Sequence, residues 1–176
     1  MPTAKTTSTV KIRRMVLTGF FSALIFVFTA YLHIPTGAGY THAGDGLIYL
    51  AASLLPMPYA AAAGAIGGAL SDGLTGFAVW MPATVIIKAV TAMFFTSKGD
   101  KILVRRNLIA IIPSLILCIA GYSLYEGIVI TGSLSAGAII AAFTQTPSYL
   151  VQVGASAILY IAAGAALDKI GFKKRI

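Results

Sequence analysis

The sequence predicts an all-α integral membrane protein of six transmembrane helices, with both termini on the cytoplasmic side. Three observations point there. The 176 residues are 58% hydrophobic and only 10% charged, with a mean hydropathy of +0.89, too apolar for a domain whose surface must be wetted. A crossing takes about 20 largely apolar residues, so a chain of this length holds roughly six of them and no separate soluble domain. Of the 13 Lys and Arg residues, all but Lys88 fall in three short clusters at the N-terminus, the middle and the C-terminus, the layout of a chain whose cytoplasmic loops are basic.

The elements follow in order along a single membrane domain, residues 1–176. Residues 1–14, MPTAKTTSTVKIRR, read as a basic tail, mobile at its start, with Lys11, Arg13 and Arg14 held at the headgroups. The apolar stretch behind it is longer than a signal-peptide core, so 15–33 reads as a retained first span. Pro35 and the glycines of IPTGAGYTHAGDG break the helix into a polar loop. Span two, 47–55, is cut short by Pro56 and Pro58. Span three, 59–74, reads AAAAGAIGGALSDGL; small residues at spacings of three and four let helices approach closely in lipid, so this helix is expected to be buried among its neighbours. A short connection carries Trp80, and span four, 83–96, leads to the central cluster of Lys98, Lys101, Arg105 and Arg106. Span five is 108–131. Ala138–Phe143 reads either as a short lead-in helix or as the start of span six, 146–167, which ends in DKIGFKKRI. Only an even number of crossings puts all three basic clusters on one side. The loop after span one, the connection around Trp80 and residues 131–137 then lie outside.

Several function classes are excluded or disfavoured. The net charge of +8 sits at the ends of apolar runs, which fits orientation and anionic lipid headgroups and not nucleic acid. Cys118 is the only cysteine, so neither a disulfide within the chain nor a cysteine metal site is available. No Walker, HExxH or GxSxG motif is present, so the chain reads as a non-enzyme without a cofactor.

The polar residues inside the spans are the candidates for chemistry. Five residues are acidic: Asp45, Asp72, Asp100, Glu126 and Asp168. Asp100 and Asp168 accompany the basic clusters as ordinary solvated ion pairs. Asp72 late in span three and Lys88 early in span four flank one connection, so a Lys88–Asp72 pair is expected, either as a clamp between helices or in contact with a ligand. Tyr122 and Glu126 share a face of span five with Tyr125 beside them, and a carboxylate among aromatic rings suits a polar heterocycle; an interfacial aromatic belt is the plainer alternative. Gln145, Tyr149 and Gln152 make a polar stripe on span six, for a ligand or for hydrogen bonds between helices. His33, His42 and Asp45 in a Gly-rich loop have no metal-site spacing, and no metal is assigned. These side chains read either as ligand contacts or as structural contacts between helices. A stand-alone proton-coupled transporter or channel, with Asp72, Lys88 or Glu126 as a relay, is the alternative; the two halves show no convincing repeat of the kind such transporters often carry.

The stretch HAGDGLIYLAASLLP…GAIGGALSDGLTGFAVWMPATVIIKAVTA resembles the substrate-binding (S) components of energy-coupling factor (ECF) transporters, particularly the riboflavin-transporter-like group. The resemblance covers essentially the whole chain and is strongest from His42 to Ala92. Its motifs are the GD of the first loop, GG.LSD.L.G in span three, and P.T.IIK at Pro82, Thr84, Ile86, Ile87 and Lys88. It implies a vitamin or related micronutrient bound at the extracellular side of a prokaryotic plasma membrane. The pocket it implies is built from spans four to six and capped by the first loop, with Trp80, Lys88, Tyr122, Glu126, Tyr149, Gln152, Asp72, His42 and Asp45 as the substrate-binding set. The implied partners are a membrane coupling subunit (T component) and two cytoplasmic ATPase subunits, with the binding subunit toppling in the membrane to release cargo. It also implies a small-xxx-small docking motif on span one, here Gly19 and Ala23, with Ala60, Gly64 and Gly68 of span three as a competing set.

Overall fold

A computed structural model describes residues 3–36 and 39–175. Helix α1 runs over Thr3–Ala30. Its first turns are the stretch expected to be a mobile tail. No Gly or Pro occurs between residues 3 and 18, so nothing in the sequence stops the helix before Arg14; Met1 and Pro2 lie outside the described residues. One face of α1, with Phe21, Ser22, Ile25 and Thr29, is buried, while Val16, Phe20 and Val27 point outward, as suits a helix with lipid on one side.

After α1 the chain folds into a β-hairpin, β1 (His33–Thr36) against β2 (Gly39–His42), with His33 opposite His42. The hairpin is the one departure from an all-α architecture among the described residues. Helix α2, Asp45–Leu54, has only ten residues, all buried. Its length of about 15 Å is half the hydrocarbon thickness. The hairpin accompanies it, with Thr41 Oγ1 donating to the Ser148 carbonyl at 3.0 Å. Non-helical backbone is tolerated at such depth only when protein surrounds it. The all-round burial expected of span three thus belongs to α2.

Helix α3, Met57–Leu74, buries one face, including Ala60, Gly64, Gly67 and Gly68, and leaves Ile66, Leu70 and Leu74 exposed. Its glycines are contact points. A Cβ on Gly67 would lie 2.8 Å from Ile25 of α1, and one on Gly68 would lie 2.6 Å from Thr84. Gly76, at φ +88°, turns the chain into a 3-10 turn, Ala78–Trp80, and then α4, Met81–Phe94. Helix α5, Arg105–Ile109, continues into α6, Ile111–Tyr125, with a break at Ala110. Pro113 explains the break, because its ring crowds the carbonyl four residues back. A π-helical turn, Glu126–Ile130, ends this span. Helix α7, Ala136–Ala142, is a separate lead-in joined by a 3-10 turn to α8, Thr146–Lys169. Three stretches, Ser8–Ala30, Arg105–Ile130 and Ala136–Lys169, are each long and apolar enough to cross a membrane.

All three basic clusters meet at one end of the bundle. Arg13 donates to the Arg175 carbonyl at 2.6 Å, Lys173 to the Lys101 carbonyl at 2.9 Å, and Lys174 faces Asp100 at 3.5 Å on the surface. Asp168 does more than the solvated pairing expected of it: its carboxylate accepts the Ile102 and Leu103 amides at 2.7 and 3.0 Å. Beneath them Asn107, fully buried, bonds Ser53 Oγ, the Thr96 and Ile102 carbonyls and the Thr96 amide, all within 3.0 Å. Tyr160 joins through Ser53 and Ile102. Replacing Asn107→Ala strands several buried backbone groups, so the purified protein should lose about 2–4 kcal/mol of stability. A thermal melt in detergent that leaves the midpoint unchanged would contradict this role.

Candidate functional site

The site is organised from below by one ion pair. Lys88 projects from the second turn of α4, and its Nζ donates to Asp45 Oδ1 at 2.6 Å, with the two side chains 3% and 5% exposed. Gln152 of α8 donates Nε2 to the other oxygen, Oδ2, at 2.8 Å. The ammonium also lies 5.3 Å from the centre of the Tyr122 ring of α6, a cation–π distance. Four helices are thereby tied at one depth.

Adjacency in sequence predicts Asp72 as the partner of Lys88. The structure corrects this. Gly64 and Gly68 are the α3 residues against Lys88, the second beside its side chain, and Asp72 lies one turn beyond Gly68, about 6 Å farther from the basic end. The hairpin instead returns the chain into the bundle and starts α2 at the depth of Lys88. Asp72 Oδ1 accepts the Tyr40 hydroxyl at 2.6 Å.

Above the ion pair, at the end away from the basic clusters, is a cavity partly open to solvent. One wall is aromatic: Tyr122 and Tyr149 stack with centroids 5.8 Å apart at 17°, and Trp80 meets Tyr122 edge-on at 5.9 Å. Thr84 Oγ1 lies 3.1 Å from the Tyr122 hydroxyl. The hairpin supplies a second wall, where Tyr40 packs on His33, Phe77 and His42. His42 is neutral. Its Nδ1 accepts the Gly44 amide at 3.0 Å, which an imidazolium cannot do. Two carboxyl oxygens, Asp72 Oδ2 and Glu126 Oε2, are buried without a hydrogen-bond partner among the described residues. Such an acceptor costs free energy until a donor arrives.

Of the residues singled out from sequence, Trp80, Lys88, Tyr122, Glu126, Tyr149, Gln152, Asp72 and His42 line this one cavity. Asp45 lies behind them as the anion of the pair. Tyr40, Thr84, Thr29, Thr36 and Gln145 also line it and fall outside the predicted set. Thr84 stands in the P.T.IIK pattern and Gln145 in the stripe of span six, but Tyr40 offers only an aromatic ring in a Gly-rich loop. No group of three or more His, Cys, Asp or Glu side chains is arranged for a metal among the described residues. Gly19 and Ala23 lie on the outer face of α1, where a Cβ on Gly19 would meet nothing within 4 Å. Ala60, Gly64 and Gly68 are buried within the bundle.

The family model described as "ECF-type riboflavin transporter, S component" matches residues 9–169. No curated protein matches the chain.

Lys88→Met leaves Asp45 as a buried charge without its counterion and should cost about 3–5 kcal/mol. Adding Asp45→Leu should recover part of that loss; a double variant no more stable than Lys88→Met alone would argue against the pair as the organising contact.

Proposed function

The chain belongs to the family of ECF-type riboflavin transporter S components, and from that premise we propose that it is the high-affinity vitamin- or micronutrient-binding subunit of an ECF-type importer. The family is one of transporter subunits and not of enzymes, and the chain is a multi-pass membrane protein. The observation that carries the proposal is the cavity itself: an aromatic wall and unmet buried acceptors at the end of the bundle opposite the three basic clusters. With the basic end cytoplasmic, in a prokaryotic plasma membrane, the cavity receives substrate from outside.

Delivery inward then depends on a membrane coupling subunit and two ATPase subunits. The exposed small residues Gly19 and Ala23 of α1 are the contact proposed for the coupling subunit, because a helix can approach closely only where side chains are small. The proton-coupled carrier weighed from sequence gains no support from the ion pair: Lys88 and Asp45 neutralise each other away from water.

Purified protein should bind a micronutrient without ATP and co-purify with coupling and ATPase subunits when these are co-expressed. Mass spectrometry of small molecules carried through purification identifies the cargo. Robust proton-driven uptake by this chain alone in liposomes would overturn the reading. Gly19→Leu with Ala23→Leu should abolish assembly while leaving binding intact; loss of binding first would show that this face is not the docking surface.

A further inference from the structure

The charges around the cavity do not cancel. Lys88 is already committed to Asp45 at 2.6 Å, and its remaining close neighbour is the face of Tyr122. His42 offers no cation, because an Nδ1 that accepts the Gly44 amide belongs to a neutral ring with its proton on Nε2. Asp72 and Glu126, on α3 and at the start of the π-helical turn, have no cationic partner among the described residues. Each keeps one buried oxygen unmatched. Asp72 is 4% exposed, and its other oxygen is occupied by the Tyr40 hydroxyl. An ionised carboxylate only accepts hydrogen bonds, so what is missing at both positions is a donor. An anionic ligand would bring further negative charge against two carboxylates that no cation among the described residues offsets. The stacked Tyr122 and Tyr149 rings beside Trp80 favour a flat π-system.

We propose that the cavity takes an uncharged or cationic heteroaromatic compound with hydrogen-bond donors on two separate edges, one for Asp72 Oδ2 and one for Glu126 Oε2, and rejects anionic counterparts. This rests on the micronutrient reading above and narrows it: carboxylate and phosphate compounds are excluded by the site, although an unpaired Lys88 would have welcomed them.

The test is equilibrium binding to the purified full chain, using matched pairs that differ in charge. Suitable pairs are riboflavin and its 5′-phosphate, nicotinamide and nicotinate, thiamine and thiamine monophosphate, and pyridoxamine and its phosphate. In any pair that binds, the anionic member should be weaker by about 100-fold or more. Asp72→Asn and Glu126→Gln should each weaken the bound member by about tenfold or more, since an amide in place of the Asp72 carboxylate has one oxygen for two donors. Melts without ligand report separately whether each variant folds, and the pairs test the proposal on the unaltered chain. An anionic member that binds as tightly as its counterpart, or folded variants that both bind unchanged, overturns this inference and leaves the micronutrient reading standing. Binding of no member of any pair counts against the micronutrient reading and this inference together.

Discussion

A lysine ammonium and an aspartate carboxylate buried at the same depth set the terms for the rest of the molecule. Neither charge is tolerable there alone, since removing an ion from water costs several kcal/mol and only close pairing with further hydrogen bonds offsets it. Lys88 and Asp45, with Gln152 on the second carboxylate oxygen and Tyr122 against the ammonium, meet that requirement by drawing α2, α4, α6 and α8 to one point. The aromatic wall, the hairpin and the carboxylates of the cavity all stand on this floor.

Placing Asp45 there constrains the backbone. A full helix across span two would carry the start of α2 to the outer surface and remove the carboxylate from Lys88. The chain instead spends residues 33–42 on a hairpin and begins a ten-residue helix inside the bundle. The close approaches this needs occur at glycines. A Cβ on Gly46 would run into the Ser156 carbonyl, and one on Gly64 would sit 3.1 Å from the Lys88 carbonyl. In lipid, where apolar surface gains little by meeting apolar surface, such contacts between small residues hold helices together. Their close fit also explains why the site is narrow and shaped: the hairpin that positions Asp45 brings Tyr40 onto Asp72.

The opposite end is built by different means and with a different tolerance. There the hydrogen bonds of Asn107 and Asp168 fix the loop between α4 and α5, and the basic side chains around it are mostly solvated. The end that holds the cavity therefore owes its shape to packing and an ion pair, while the basic end owes its shape to satisfied backbone groups.

Much of this is legible in the residues alone. The distribution of Lys and Arg marks one end of the bundle, the spacing of Tyr122 and Glu126 places them on one face, and the lone Lys88 marks the site. Helical periodicity and membrane length are local properties, and local properties can be read from a chain. The partner of Lys88, the depth of α2 and the presence of Tyr40 at the cavity cannot be read this way. Adjacency in sequence favours Asp72, because consecutive antiparallel helices usually meet. The deciding feature is an irregular segment that re-enters the bundle, and nothing in its glycines and polar residues encodes how deep it goes. Composition and order along the chain were enough to determine the solvent, the succession of helices and most of the polar residues at the site. Which charges cancel, and hence which carboxyl oxygens stay unmatched at the cavity, was settled only by the packed bundle, because that depends on depth and direction across all of its helices.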